Sequence, residues 1–314
     1  MYQHNIEKFG SFERHVFSNP SSKNSFSIVP ECGAVLIDTF FAGINVIDGF
    51  SMPEELESFK WAKSAVLYPF PNRMCDGAYT HDGNTYNFPV DNAATNNAIH
   101  GFGKKMPHQI VSMILSENYA AVTCRNDYDG YLPYYPFPCC FEITFTISDD
   151  NKMTIGMSLK NTGENTIPTA IGWHPYFAIS EKIEDTLLQL PDLQLIEVNE
   201  RMLPTGKKEN YNRFSSLEKI NETSLDNGFF IPNQEKNAEV ILQSDKGKLT
   251  YWQETGEGKY NFIQIFTPPH RTCIALEPMT SNIDTFNNGD GLVLLKENEQ
   301  LSGNFGFGFI PNKI

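Results

Sequence analysis

Four short segments of this 314-residue chain carry side chains able to move protons: Asn72-Arg73, Ile99-His100-Gly101, Gly172-Trp173-His174-Pro175-Tyr176 and Leu276-Glu277-Pro278-Met279-Thr280. Together they supply one guanidinium, two imidazoles and one carboxylate, each flanked by aromatic residues, Gly or Pro. Imidazole gives or takes a proton near neutrality. A carboxylate at the end of an apolar strand, as Glu277 is after Cys273 to Leu276, is costly to bury unless paired or used, and desolvation makes it a stronger base. The set suits acid/base work on a small polyhydroxylated molecule.

The remaining candidates carry alternatives. There are seven histidines. His4, His15 and His81 lie in polar stretches and are expected at the surface. His100 and His174 stand out because aromatic neighbours desolvate an imidazole. Trp173 and Tyr176 offer flat faces on which a sugar ring can stack, or they are core, the role preferred for Phe177. Glu277 is equally a base or a salt-bridge partner. Arg73 is either a clamp for vicinal hydroxyls, with Asn72 beside it, or a structural Arg. Asp226, in Leu225-Asp226-Asn227-Gly228-Phe229, reads as a turn first and a hydroxyl acceptor second. No His-x-x-x-His or clustered-carboxylate spacing points to a metal, and no glycine-rich loop leads into a helix to cradle phosphate.

The elements that must position these groups are strands. Phe141, Ile143, Phe145 and Ile147 alternate with polar residues, and the alternation resumes at Met153, Ile155, Met157 and Leu159 after an Asp149–Lys152 turn. This is a hairpin pattern. Asp82-Gly83 marks a second hairpin. Val240-Leu242, Leu249-Trp252, Phe262-Phe266 and Cys273-Leu276 continue the series, and Phe305, Phe307 and Phe309 alternate with glycines. Ser51-Met52-Pro53-Glu54 has capping-box spacing and predicts a short helix towards Trp61. Ser215 to Glu218 repeats that spacing more weakly. Glu197 to Asn212 reads as a long surface loop. Too few helices separate the strands for βαβ units. The expectation is an all-β chain: one domain over residues 1–314, a large antiparallel β-sandwich with few short helices.

Composition bounds the partners. A net charge of −14 repels nucleic acid and anionic membrane surfaces. The first ten residues have no apolar h-region, and no apolar run approaches the roughly 20 residues of a membrane span. Six cysteines without a CxxC pair predict reduced, mostly buried thiols. The expected setting is cytoplasmic, as a monomer or homodimer.

The motifs, in this order, resemble those of the aldose 1-epimerase (galactose mutarotase-like) family from about Leu67 to Phe309. Pro71-Asn72-Arg73-Met74 with Gly77-Ala78-Tyr79 resembles its Asn-Arg strand pair. Asn97-Ala98-Ile99-His100-Gly101-Phe102 resembles its first His motif, and Gly172 to Phe177 its second. The segment from Leu276 to Thr280, with Asn287-Asn288-Gly289, resembles its glutamate segment. Pro278-Met279-Thr280 departs from the Gln and Pro-Asp-Ala type segment that follows the Glu in well-characterised members, which suggests a divergent branch.

The resemblance implies a β-supersandwich and mutarotation of a free hexose, with no cofactor. Glu277 would take the proton of the anomeric hydroxyl and His174 would protonate the ring oxygen. His100 would steady the ring-oxygen side, and Arg73 and Asp226 would hold hydroxyls. The alternatives are an epimerase of a phosphorylated or modified sugar, with Lys104-Lys105 as the candidate phosphate ligands, and a non-catalytic carbohydrate-binding domain. Mere binding needs no acid opposite a base. A glycosidase needs two flanking carboxylates, and one strong candidate is present.

Overall fold

A computed structural model describes residues 1–235 and 237–312. Strands make up 51% of the chain and helices 6%, so sheet register, not helix packing, fixes where the functional side chains stand. No helix is long and apolar enough to cross a membrane.

The largest sheet has nine strands, all paired antiparallel, in the order Gln109–Leu115, Tyr119–Tyr128, Cys139–Ser148, Lys152–Asn161, Gln300–Pro311, Gly247–Gln253, Ala238–Gln243, Leu187–Gln189 and Glu218–Lys219. Cys139–Ser148 and Lys152–Asn161 alternate buried and half-buried residues along their lengths, as the period-two pattern predicts. In Gln300–Pro311, Gly306 lies where a Cβ would overlap the Met153 carbonyl and press on Trp252, so glycine permits the close approach of its neighbours.

Two further sheets pack on the inner face of this one. A five-stranded antiparallel meander covers Gln3–Phe9 to Ile44–Asn45 and reaches the large sheet through Phe26 on Phe145 and Phe41 on Phe307. The other sheet carries the site. Its strands are β1 (Ala65–Leu67), β2 (Gly172–His174), β3 (Tyr176–Phe177), β4 (Leu193–Val198), β5 (Pro204–Tyr211), β6 (Asp226–Phe230), β7 (Phe262–Phe266) and β8 (Ile274–Met279). Their order is β5-β4-β6-β7-β8-β2-β1, with β3 also paired to β8. Trp173 stacks on Phe305 and Phe177 meets Phe307 edge-on, joining this sheet to the nine-stranded one. A single buried apolar cluster extends from Tyr2 to Phe309 through all three sheets.

Several local expectations hold. The hairpins at Asn151 and at Asp82-Gly83 form, the latter with positive φ at both turn residues. All six cysteines are free thiols, with Cys124, Cys139 and Cys273 buried. Four expectations need correction. The segment from 197 to 212 is mostly a β-hairpin arm, not a loop, because β5 pairs with β4 and is polar only as the sheet's outermost strand. Ser51 precedes the helix N-cap, which is Met52, and instead donates to Glu55 in a five-residue helix, Pro53–Glu57. No helix follows Ser215: Glu218 lies in a short strand and accepts from the Phe214 amide. His4, His15 and His81 are half-buried rather than surface residues: the first two stack on each other, and His81 bonds the Thr166 carbonyl.

Candidate active site

Two structural devices bring the four motifs together. The first is the β7-β8-β2 ladder. β8 lies in the sheet's interior and is buried at every residue, with Glu277 opposite Gln264 of β7 and Met279 opposite Gly172 of β2. His174 ends β2, two residues beyond Gly172, so alternation returns its side chain to the face Gly172 occupies. The result is direct contact: His174 Nε2 lies 3.3 Å from Glu277 Oε1, with the side chains 7% and 2% exposed.

The second device is a two-stranded ladder of Arg73–Cys75 with Asn97–Ile99, in which Ile99 stands opposite Arg73. Just past it the His100 amide donates to the Asn72 carbonyl at 2.8 Å. Both residues have left-handed backbones, φ 67° at His100 and 55° at Asn72, which turn their side chains off the ladder and into the site. Gly101 continues the turn at φ 57°, where a Cβ would overlap the Tyr68 carbonyl, so the glycine of this motif is sterically required. His100 then meets His174 edge-on with ring centroids 5.3 Å apart.

These groups line a cavity of about 290 Å³ together with Trp61, Ala62, Asn92, Ile99, Tyr176, Asp226, Gln264 and Phe266. Its hydrogen-bonding wall is connected. Arg73 donates to Asn72 Oδ1 (3.1 Å), Asn72 donates to Gln264 Oε1 (3.2 Å), and Gln264 donates to Asp226 Oδ1 (2.8 Å). Tyr176 stacks on His174 at 5.0 Å and donates its hydroxyl to the Trp61 carbonyl.

Burial sets the electrostatics. Desolvation, reinforced by Asp226 and opposed by Arg73, pushes the Glu277 carboxyl well above its usual range. Desolvation lowers His174 to about 3, and it lowers His100 well below the usual imidazole value, with the neighbouring His174, Lys104 and Arg73 adding to the effect. Burial therefore disfavours the charged form of each partner. Glu277 Oε2 and the Nδ1 atoms of His100 and His174 are buried and have no hydrogen-bond partner among the described residues.

Seven of the eight residues expected here line the cavity: Glu277, His174, His100, Arg73, Asp226, Asn72 and Tyr176. Trp173 does not. It points to the opposite face of β2, is fully buried, donates Nε1–H to the Ser64 carbonyl at 3.0 Å and stacks on Phe305. Asp226 opens strand β6 rather than sitting in a turn. Gln264, Trp61, Ala62, Asn92, Ile99 and Phe266 are additions. Gln264 had a readable signal, since it is the one polar residue inside the apolar run Phe262 to Phe266. Among the described residues, no three His, Cys, Asp or Glu side chains are grouped as a metal-binding set.

The sequence profile of the aldose 1-epimerase family matches residues 19–308. The chain belongs to the aldose 1-epimerase family. The uncharacterized protein YihR of Escherichia coli is 26% identical over 280 residues, covering 84% of this chain and 83% of that protein. Among solved structures, a galactose mutarotase-like protein from Clostridium acetobutylicum superposes with a TM-score of 0.86 at 19% identity, over 99% of both chains. Galactose 1-epimerase from Lactobacillus acidophilus superposes with a TM-score of 0.84 at 16% identity, over 100% of both. At these identities the structural matches give the galactose mutarotase-like fold, and the family's epimerase chemistry rests on the sequence profile. The divergence expected from Pro278-Met279-Thr280 agrees with this distance from its relatives.

Proposed function

We propose that this family member interconverts the α and β anomers of a free, uncharged aldose by acid/base ring opening and closure. The observation that carries the proposal is the 3.3 Å contact between His174 Nε2 and Glu277 Oε1 inside a cavity walled by hydrogen-bonding side chains. The two oxygens of a cyclic hemiacetal hang on one carbon, so an acid and a base this close can reach both.

In ring opening, Glu277 takes the proton from the anomeric hydroxyl and His174 gives one to the ring oxygen. The C1–O5 bond breaks and an aldehyde forms. Rotation about C1–C2 presents the other carbonyl face, and closure reverses both transfers. The step needs one proton shared by the pair. Entry of the sugar's two oxygens supplies hydrogen bonds that favour moving this proton to His174, which arms base and acid together. His100 bonds the ring-oxygen side. Arg73, Asn72 and Asp226 hold hydroxyls, with Tyr176 behind His174. We read residues 1–314 as one domain, working in the cytoplasm as a monomer or homodimer.

A phosphorylated sugar fits less well. Lys104 donates to Asp91 and to the Ile99 carbonyl, and with Lys105 it lines a separate cavity beyond Ile99. Among the described residues Arg73 is then the one Lys or Arg on the pocket wall, and its guanidinium already bonds Asn72. The deciding test is polarimetry of freshly dissolved α-D-glucose and α-D-galactose with wild type and Glu277→Gln. Accelerated decay of rotation that the variant lacks supports the proposal. No acceleration with any free aldose defeats it.

A further inference from the structure

The lip of the cavity is a turn, Phe59 to Ser64, that the acid/base chemistry does not use. Phe59, Trp61, Ala62 and Ser64 hold φ of 51°, 60°, 52° and 53°, though none is glycine. Non-glycine residues in this region are strained and persist only where the surroundings over-determine them. Here they do. The Ser64 amide donates to the His174 carbonyl (2.8 Å), and the Ser64 carbonyl accepts from Trp173. The Trp61 carbonyl accepts from Tyr176, and Lys63 is tied to Asp48 and the Gly49 carbonyl. The strained turn is thus fastened to the same motif that carries His174.

This turn fixes Trp61 at the mouth with its side chain accessible. Trp61 is 40% exposed, against 6% for His174 and 2% for Glu277. An aromatic series leads outwards from the acid/base pair. His174 stacks on Tyr176 at 5.0 Å, Tyr176 meets Phe266 at 6.4 Å, Phe266 meets Trp61 at 6.2 Å, and Trp61 meets exposed His270 edge-on at 5.9 Å. His270 Nδ1 is held by Thr272, which leaves its other ring nitrogen for a hydroxyl.

Resting on the assignment of the inner cavity to a reducing sugar ring, we propose that Trp61, Phe266 and His270 form a second saccharide subsite. It receives the next pyranose ring of a reducing disaccharide or longer chain. The anomeric carbon must sit at His174 and Glu277, deep in the cavity, so a glycosidic linkage leaves the ring from its outer end, at the mouth. A pyranose has a face of C–H groups that packs on a flat aromatic ring while its hydroxyls stay in water or reach His270. No ordering cost falls on the platform, because the turn is already pinned. The lip's own charges, Lys60 and Lys63, are paired with Glu55 and Asp48, so the subsite is built for a neutral ring.

The test compares kcat/KM for mutarotation of glucose with that of maltose, cellobiose and lactose, all of which end in reducing glucose, for wild type, Trp61→Ala and Trp61→Phe. Wild type should prefer at least one disaccharide about tenfold or more. Trp61→Ala should abolish that preference, and Trp61→Phe should keep most of it. No disaccharide preference in wild type, or an equal loss on glucose and disaccharides in Trp61→Ala, overturns the proposal. If no sugar is turned over, the mutarotase assignment fails and binding decides the subsite. Tryptophan emission titrated with the same disaccharides should shift to the blue in wild type and not in Trp61→Ala. Absence of that shift overturns the subsite too.

Discussion

Gln264 faces Glu277 across the ladder between β7 and β8, and its amide links Asn72 to Asp226. Glu277 is thus neighboured by a side chain whose two polar ends hold Asn72 and Asp226. Gln264→Ala frees both partners. A net hydrogen bond is worth about 0.5–1.5 kcal/mol, and two are lost, so KM should rise roughly tenfold with a smaller fall in kcat. Steady-state polarimetry separates the two constants. A collapse of kcat at unchanged KM would move Gln264 from orienting hydroxyls to the chemistry itself.

Removing the base or the acid should act on kcat. Glu277→Gln and His174→Asn keep the shape of the pair but leave it unable to relay a proton. Each should lower kcat by about 10²–10⁴, the usual contribution of general acid/base catalysis. Far-UV circular dichroism should be unchanged. Turnover at the wild-type rate in either variant rules out the assigned role.

The opposed shifts of Glu277 and His174 make opposite contributions to stability against pH. Glu277 is raised, so above its unfolded value the native state still holds a proton that the unfolded chain has released, and stability falls as pH rises towards the raised value. His174 is lowered to about 3, so below the unfolded imidazole value the unfolded chain binds a proton that the native state refuses. Stability then falls as pH drops from about 6.5 towards 3. The two slopes oppose each other between about pH 4.5 and 6.5. Glu277→Gln removes one of them, and its urea-unfolding free energy should rise with pH through that window more steeply than that of wild type. Parallel profiles would contradict a neutral buried Glu277.

Trp173, though it precedes His174, is a packing residue. Trp173→Phe loses the bond to the Ser64 carbonyl and leaves space beside Phe305. It should cost about 1–3 kcal/mol of stability by denaturant titration, with KM for the sugar within twofold of wild type. A large rise in KM at unchanged stability would restore it to the sugar-binding wall.

Much of the site could be read from the chain because each group sits in a short, unusual segment. His100, His174 and Glu277 are set off by Gly, Pro or aromatic neighbours, and the hairpins around Asp82 and Asn151 announce themselves by alternation and turn chemistry. What could not be read depends on which way a strand faces. Trp173 and His174 are adjacent, and alternation sends one to the core and the other to the pocket. Asp226-Asn227-Gly228 has turn composition, yet pairing with β7 holds it extended. Gln264 is polar in an apolar strand, and only the register shows that it opposes Glu277. The turn at Trp61 carries no sequence sign of its left-handed backbone, which tertiary contacts enforce.

The His174–Glu277 contact also has a history in time. His174 and Glu277 are far apart along the chain, and they meet only when β8 is laid between β7 and β2. Pairings of such long sequence separation close slowly, because a large loop must be ordered before any contact rewards it. Ile274 and Leu276 of the same strand belong to the main apolar cluster, so in a refolding chain the return of turnover would report the seating of that one strand and the closure of the core around it.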